Sequence, residues 1–157
     1  MFQVAVCGPA RCSAVEEAAA REVGVLLARS GAVVLCGGYG GVMAGAAQGA
    51  AGAGGLVIGI LSGDDRSGAS PFLTAAVVTG MGQARNSVLV GSADAVIVVG
   101  GSWGTLSEVA MAMRRGVRPV VVLGGWRIAD ARGEAVPGLV VADSPAAAVR
   151  LALAGRG

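Results

Sequence analysis

The strand, turn and helix that decide the fold are clearest in residues 94–108, which read DAVIVVGGSWGTLSE. The unbroken apolar run ending at Val99 predicts a strand over 94–99 that is buried on both faces. Gly100 and Gly101 then allow a tight turn, and the pattern beyond them predicts a helix over 105–116. A buried strand that turns directly into a helix is the building unit of a parallel α/β sheet.

The same alternation of strand and helix extends outward over the chain. The segment 13–30 begins with Ser13 and has Glu16 three residues later, which is a capping box at a helix start. Without a repeat or linker, the 157 residues predict a single doubly wound, Rossmann-like α/β domain over 1–157. Its mostly parallel sheet should have about six or seven strands. The further predicted strands are 2–7, 32–36, 56–61, 75–79, 118–123 and 138–141, and the further helices are 41–53, 83–92 and 144–154.

Two absences in the composition restrict the chemistry. The chain has no histidine, so it lacks Ser-His-Asp and Cys-His catalysis and histidine metal sites. All twelve basic residues are arginines, so a lysine Schiff base, and with it pyridoxal-phosphate chemistry, is excluded. Cys7, Cys12 and Cys36 are odd in number and lack CxxC spacing, which indicates reduced thiols rather than a zinc site. We expect no metal site.

Charge and hydropathy indicate a cytoplasmic protein with neither a nucleic-acid nor a membrane partner. The net charge is +2, and no basic run or basic-aromatic stripe is present. The uncharged stretch 43–61 is long enough for a membrane span, but it is rich in Gly and Ala and is interrupted by Gly54 and Gly55. The N-terminus has no basic region followed by a long apolar run, so no signal peptide is expected.

Glycine-rich turns follow three of the predicted strands, beginning at Gly8, Gly37 and Gly100. In parallel α/β sheets, ligands bind beyond the carboxyl ends of the strands. The helix after Gly100 offers free N–H groups and a positive dipole end to a phosphate, and Thr105 adds a hydroxyl. Glu108 lies one turn further on, within reach of a sugar beside the phosphate. A simple turn, in which Thr105 caps the helix and Glu108 completes a capping box, is the alternative.

The other turns supply further candidate residues. The 37–41 turn is not a dinucleotide fingerprint, because Met43 stands where the third glycine would be. Gly41, Gly45 and Gly49 recur every fourth residue, and this spacing predicts close helix-to-sheet packing. Arg85 is placed to face an anion at the rim. The predicted ligand-binding residues are Gly8, Gly37, Gly38, Tyr39, Gly40, Gly41, Met81, Asn86, Gly100, Gly101, Ser102, Trp103, Gly104 and Thr105, with Tyr39 or Trp103 stacking on a ring or Trp103 anchoring its loop.

Three segments resemble the Lonely Guy (LOG) proteins, over most of the chain from Val4 to about Leu123. Residues 100–108 resemble the PGGxGTxxE signature, residues 36–43 the GGGxxGLMG segment, and Arg85 the arginine of MHxRK. The resemblance implies a phosphoribohydrolase that cleaves nucleoside 5′-monophosphates to base and ribose 5-phosphate. It implies Arg85 and Glu108 as catalytic residues, no cofactor required for hydrolysis, and a homodimer or homotetramer. It does not imply a lysine decarboxylase.

The departures from that signature point to a sister branch. Gly100 replaces the proline, Ser102 replaces the second glycine, and the His and Lys of MHxRK are absent. The sequence of these motifs more closely resembles that of the molybdenum cofactor carrier proteins, and this resemblance implies binding of a phosphorylated pterin. The sequence therefore predicts a protein that binds a phosphorylated, ring-bearing small molecule of nucleotide or molybdopterin type, so that the bound group is a molybdenum cofactor or a nucleotide. The LOG-type hydrolase is the alternative.

Overall fold

The computed structural model describes residues 1–156 and contains an alternating series of strands and helices. The strands are β1 (Gln3–Cys7), β2 (Val33–Cys36), β3 (Val57–Leu61), β4 (Ala75–Val78), β5 (Ala95–Val99), β6 (Val120–Leu123) and β7 (Leu139–Ala142). The helices are α1 (Ala14–Arg29), α2 (Val42–Gly52), α3 (Arg85–Gly91), α4 (Trp103–Arg115) and α5 (Pro145–Leu153).

The strands form one seven-stranded sheet in the order β4-β3-β2-β1-β5-β6-β7. Every neighbouring pair is parallel, and β1 lies between β2 and β5. The strand order reverses between β1 and β5, so the chain turns outward in opposite directions there. This confirms the predicted Rossmann-like α/β fold. The switch point lies at the carboxyl ends of β1 and β5, next to Cys7 and Val99.

Two apolar layers hold the helices on the sheet. Ala20, Val23 and Leu27 of α1 belong to one cluster, together with residues of α2 and α5. Leu89 of α3 and Val109 of α4 belong to the other cluster, on the opposite face. The central strands are fully buried because helices cover both faces, which explains their unbroken apolar runs.

The glycines of α2 correct one prediction. A Cβ at Gly45 or Gly49 would collide with the backbone carbonyls of Glu17 or Arg21 in α1. These glycines therefore allow close helix-to-helix packing rather than the helix-to-sheet packing that we expected. Gly24 of α1 makes the reciprocal approach, since a Cβ there would meet the α2 backbone. Small residues on both helices let the two backbones nearly touch.

Some predicted boundaries shift at the site. The helix predicted over 105–116 begins at Trp103, because Ser102 rather than Thr105 caps it. The helix predicted over 83–92 begins at Arg85, after a 3₁₀ turn over Gly82–Ala84. The uncharged stretch 43–61 divides between α2 and β3. Within residues 1–156, no helix is both long enough and apolar enough to span a membrane.

Candidate functional site

The N-terminus of α4 faces the switch point of the sheet. Ser102 has extended backbone, and its Oγ accepts a hydrogen bond from the Thr105 amide at 3.2 Å. Thr105 is therefore not the cap, and Glu108 lies outside any capping box, so that alternative was wrong. The amides of Trp103 and Gly104 have no acceptor within residues 1–156. Such free amides at the positive end of a helix suit an anion.

An open cleft of about 210 Å³ lies beside these amides, between the loop after β1, α3 and α4. We call it the central cleft. It brings together seven of the sixteen predicted site residues, from three separate segments of the chain. The predicted residues that line it are Gly8, Arg85, Asn86, Ser102, Gly104, Thr105 and Glu108, and the lining residues that we did not predict are Pro9, Ala10, Met43 and Gln83.

Arg85 is buried, although arginines on helices are usually solvated. Its side chain is only 9% exposed, and Nη1 donates to the carbonyl oxygen of Ile60 at 2.5 Å. The guanidinium lies against Gly37, where any Cβ would collide with it. Gly37 therefore contributes to the site indirectly, by making room for Arg85. The Arg85 Nε is buried without a partner among residues 1–156.

Glu108 is the acidic group of the central cleft. It is 6% exposed, and burial raises the pKa of its carboxyl to about 7, against the opposing effects of the Arg85 guanidinium and the Cys7 thiol. The only ion pair within residues 1–156 joins Arg21 to Glu17, so Arg85 and Glu108 face the cleft without pairing. A carboxyl with a pKa near 7 can exchange a proton at neutral pH.

The thiols at the ends of β1 and β2 carry no nucleophilic chemistry. Cys7 and Cys36 are buried and free. Burial raises the pKa of Cys7 well above its ordinary value and the pKa of Cys36 to about 11. Both are therefore protonated at neutral pH. Within residues 1–156, no group of three or more His, Cys, Asp or Glu side chains is placed to hold a metal ion.

Several predicted residues lie outside the central cleft. The Tyr39 hydroxyl accepts from the Gly63 amide at 3.1 Å, which ties the ring to the loop after β3. A Cβ at Gly38 would collide with Leu61, so that glycine serves packing. Met81 is exposed on the turn before α3. Gly40 and Gly41 lie close to Ala10 in the loop after β1, and Gly100 and Gly101 line a separate small hollow of about 20 Å³.

Trp103 meets a residue that we did not predict. Its ring is 79% exposed and stands edge-on to Trp126, with ring centroids 4.8 Å apart and an interplanar angle of 78°. Trp126 also packs against Gly101, and a Cβ at Gly101 would collide with it. The signal was in the sequence, because Gly124 and Gly125 form a fourth glycine-rich turn directly after a strand.

Comparisons with known proteins give the family. The molybdenum cofactor binding protein of Rippkaea orientalis is 36% identical to this chain, with a TM-score of 0.88. The match covers 96% of this chain and 94% of that protein. The molybdenum cofactor carrier protein of Chlamydomonas reinhardtii is 34% identical, with a TM-score of 0.83, and the match covers 96% of this chain and 95% of that protein. An uncharacterized Archaeoglobus fulgidus protein is 40% identical, covering 87% of this chain and 93% of its own.

These likenesses confirm the predicted resemblance to LOG-like proteins and, among them, to the molybdenum cofactor carrier proteins. The sequence model of the SLOG cluster4 family matches residues 1–149, nearly the whole chain. The protein therefore belongs to the SLOG cluster4 family.

Proposed function

We propose that this protein binds a phosphorylated, ring-bearing small molecule in the central cleft, as a binding protein of the molybdenum cofactor carrier type. The observation that carries the proposal is the pair of free amides, Trp103 and Gly104, beside the buried Arg85. Relatives at 36% and 34% identity are described as binding or carrying the molybdenum cofactor. A nucleotide and the molybdenum cofactor both present a phosphate to such a site.

In this proposal the phosphate accepts hydrogen bonds from the Trp103 and Gly104 amides, and the Thr105 hydroxyl adds a third contact. Arg85, which lines the same cleft from α3, offsets the phosphate charge. The exposed Trp103 and Trp126 rings stand next to the amides and provide an aromatic surface for the ligand's ring.

Calorimetry tests the binding proposal with inorganic phosphate, adenosine monophosphate and molybdenum cofactor as separate probes. Replacing Arg85 by Met should weaken phosphate-ester binding roughly tenfold to a hundredfold, because a charge-assisted contact is lost. Arg114→Met is the control, since Arg114 is an exposed arginine in the last turn of α4, at the opposite end of that helix from the free amides. Absence of binding of all three probes would contradict the proposal.

The second candidate function is hydrolysis of a nucleoside 5′-monophosphate, and Glu108 is the observation that favours it. Its carboxyl lies in the same cleft with a pKa of about 7. As the bond between base and sugar breaks, the base leaves with the electron pair and positive charge develops on the sugar ring. Glu108 would take a proton from the water whose oxygen bonds to C1 of the sugar, while the departing base takes up a proton from solvent.

Incubation with adenosine monophosphate and isopentenyladenosine monophosphate decides between the two candidates. A hydrolase should release free base, measured by chromatography, and the rate should rise with pH through about 7 as Glu108 loses its proton. Glu108→Gln keeps the side-chain shape and should abolish release. No base release by the native protein, or equal release by the variant, would exclude the hydrolase function and leave ligand binding as the function.

A further inference from the structure

The central cleft holds one acidic side chain close to the proposed phosphate position. Among the eleven described residues that line the cleft, Glu108 is the only acidic residue and Arg85 the only basic one. Gly104, whose amide is free, and Glu108 are four residues apart in α4 and therefore lie on the same face of the helix. Helical side chains lean toward the N-terminus of their helix, so the Glu108 side chain extends toward the free amides.

The surroundings of Glu108 do little to neutralise its charge. The side chain is 6% exposed and forms no ion pair within residues 1–156. The titratable groups that face it are Arg85 on α3 and the Cys7 and Cys36 thiols at the ends of β1 and β2. Burial raises the pKa of both thiols, so neither adds a charge at neutral pH. The strands under α4, β5 and β6, contain only apolar residues.

A bound phosphate would therefore meet a like charge on Glu108. A phosphate monoester carries nearly two negative charges at neutral pH. Beside an ionised Glu108, these charges would face the single positive charge of Arg85, and water screens charges poorly in a largely buried site. A proton taken from solvent onto the Glu108 carboxylate removes the repulsion. Burial already favours the neutral acid, because it raises the pKa of Glu108 to about 7.

We propose that the central cleft binds its phosphate together with one proton, which Glu108 holds, so that the ligand is bound tightly while Glu108 is neutral and is released as Glu108 ionises. This rests on the proposed phosphate binding at the start of α4. The coupling depends only on the phosphate, which a nucleotide and the molybdenum cofactor share. Glu108 thereby sets the charge that the cleft accepts, without having to touch the ligand.

Sulfate is the probe that isolates Glu108, because it stays a dianion across the neutral range, whereas a phosphate group loses a proton of its own at about pH 6–7. Above the pKa of Glu108, about 7, the affinity should fall by up to about tenfold per pH unit. The dissociation constant of sulfate should therefore rise about tenfold to hundredfold from about pH 6 to about pH 9.

Two glutamine variants assign that pH dependence. Glu108→Gln cannot ionise and should bind sulfate equally well at both ends of the range. Glu22→Gln is the matched control, since it removes an exposed carboxylate of α1 outside the cleft and should keep the full dependence. Binding by the native protein that does not change with pH, or an equal dependence in Glu108→Gln, would overturn the inference and leave the anion site intact.

Calorimetry of the native protein detects the proton itself and decides even if Glu108→Gln does not fold. At about pH 8, sulfate binding in two buffers of different ionisation enthalpy should show uptake of close to one proton per sulfate. Sulfate binding without proton uptake would overturn the inference. Binding of inorganic phosphate but not sulfate would also overturn it, because the ligand would then bring the proton. Failure of both anions to bind at about pH 6 would overturn the proposed function and this inference with it.

Discussion

The loop at 37–41 and the loop at 100–104 both join a buried strand to a helix, but the two helices present different groups to the cleft. The first amide of α2, at Val42, donates to the carbonyl oxygen of Pro9 at 3.1 Å. The side chain of the next residue, Met43, is buried and apolar at the cleft wall, and the Met43 and Ala44 amides have no acceptor in the described part of the chain. In α4 the amides of Trp103 and Gly104 remain without an acceptor in the described part of the chain.

The side chains that follow the two loops differ in the same way. The buried residues of α2 are all glycine or apolar, whereas α4 buries Thr105 and Glu108 close to its start. The glycines of the first loop are needed for packing, since Gly37 makes room for the Arg85 guanidinium and Gly41 for the loop after β1. The two loops therefore differ at the first amide of the helix, which is bonded in α2 and free in α4, and in the side chains that follow, which are apolar in α2 and polar in α4.

The largest expected effect is a difference in stability when a glycine is replaced by alanine in each of the two loops. Gly41 has φ +61°, and a Cβ there would collide with the Pro9 carbonyl, so Gly41→Ala should lower the free energy of unfolding by about 3–5 kcal/mol. Gly104 lies in α4, and a Cβ there comes no closer than 3.8 Å to Ser102 Oγ. Gly104→Ala should leave stability unchanged or raise it by up to about 1 kcal/mol.

Urea unfolding of both variants beside the native protein checks this pair of predictions. A similar loss of stability in both would show that the two loops have the same packing role. That result would remove the distinction on which the proposed site depends.

A smaller effect should appear in the pH dependence of stability. Burial raises the pKa of Glu108 from 4.5 to about 7, so between these values the folded protein holds a proton that the unfolded chain has released. The free energy of unfolding should therefore fall by about 3 kcal/mol as pH rises from 4.5 through 7. The chain has no histidine to add its own transition in this range.

Glu108→Gln is the control for that pH dependence. The glutamine cannot ionise, so the fall in stability between pH 4.5 and 7 should disappear from denaturant unfolding curves of the variant. An equal fall in both proteins would mean that Glu108 is not the group responsible.

The smallest effect concerns the cap of α4. Ser102→Ala removes the oxygen that accepts from the Thr105 amide and should cost about 1 kcal/mol of stability. The variant also exposes a further free amide, so phosphate binding should persist. Thermal unfolding together with phosphate titration measures both. Loss of phosphate binding at unchanged stability would instead assign Ser102 a direct contact with the ligand.

The sequence predicted the sheet and the carboxyl-end location of the site because continuous apolar runs and glycine turns are local signals. It also predicted that Arg85 and Glu108 belong to one site, and both line the central cleft. It could not distinguish the two glycine loops. That difference depends on Pro9, which is distant in sequence from Val42 and approaches it only in the folded chain.

The interactions of single side chains were also beyond the sequence. Ser102, and not Thr105, caps α4, because either residue type could serve and only the turn geometry selects one. The burial of Arg85 could not be foreseen, since it depends on the absence of a side chain at Gly37. The site itself follows from the topology, whereas its donors and acceptors follow from contacts between segments.

The most direct test of the central claim is an amide ¹H–¹⁵N NMR titration of the native protein with inorganic phosphate. If the start of α4 is the anion site, the Trp103 and Gly104 amides should move in a saturable way while the Val42 amide, already bonded to Pro9, stays in place. Movement centred on Val42, or no saturable movement at Trp103 and Gly104, would contradict the account.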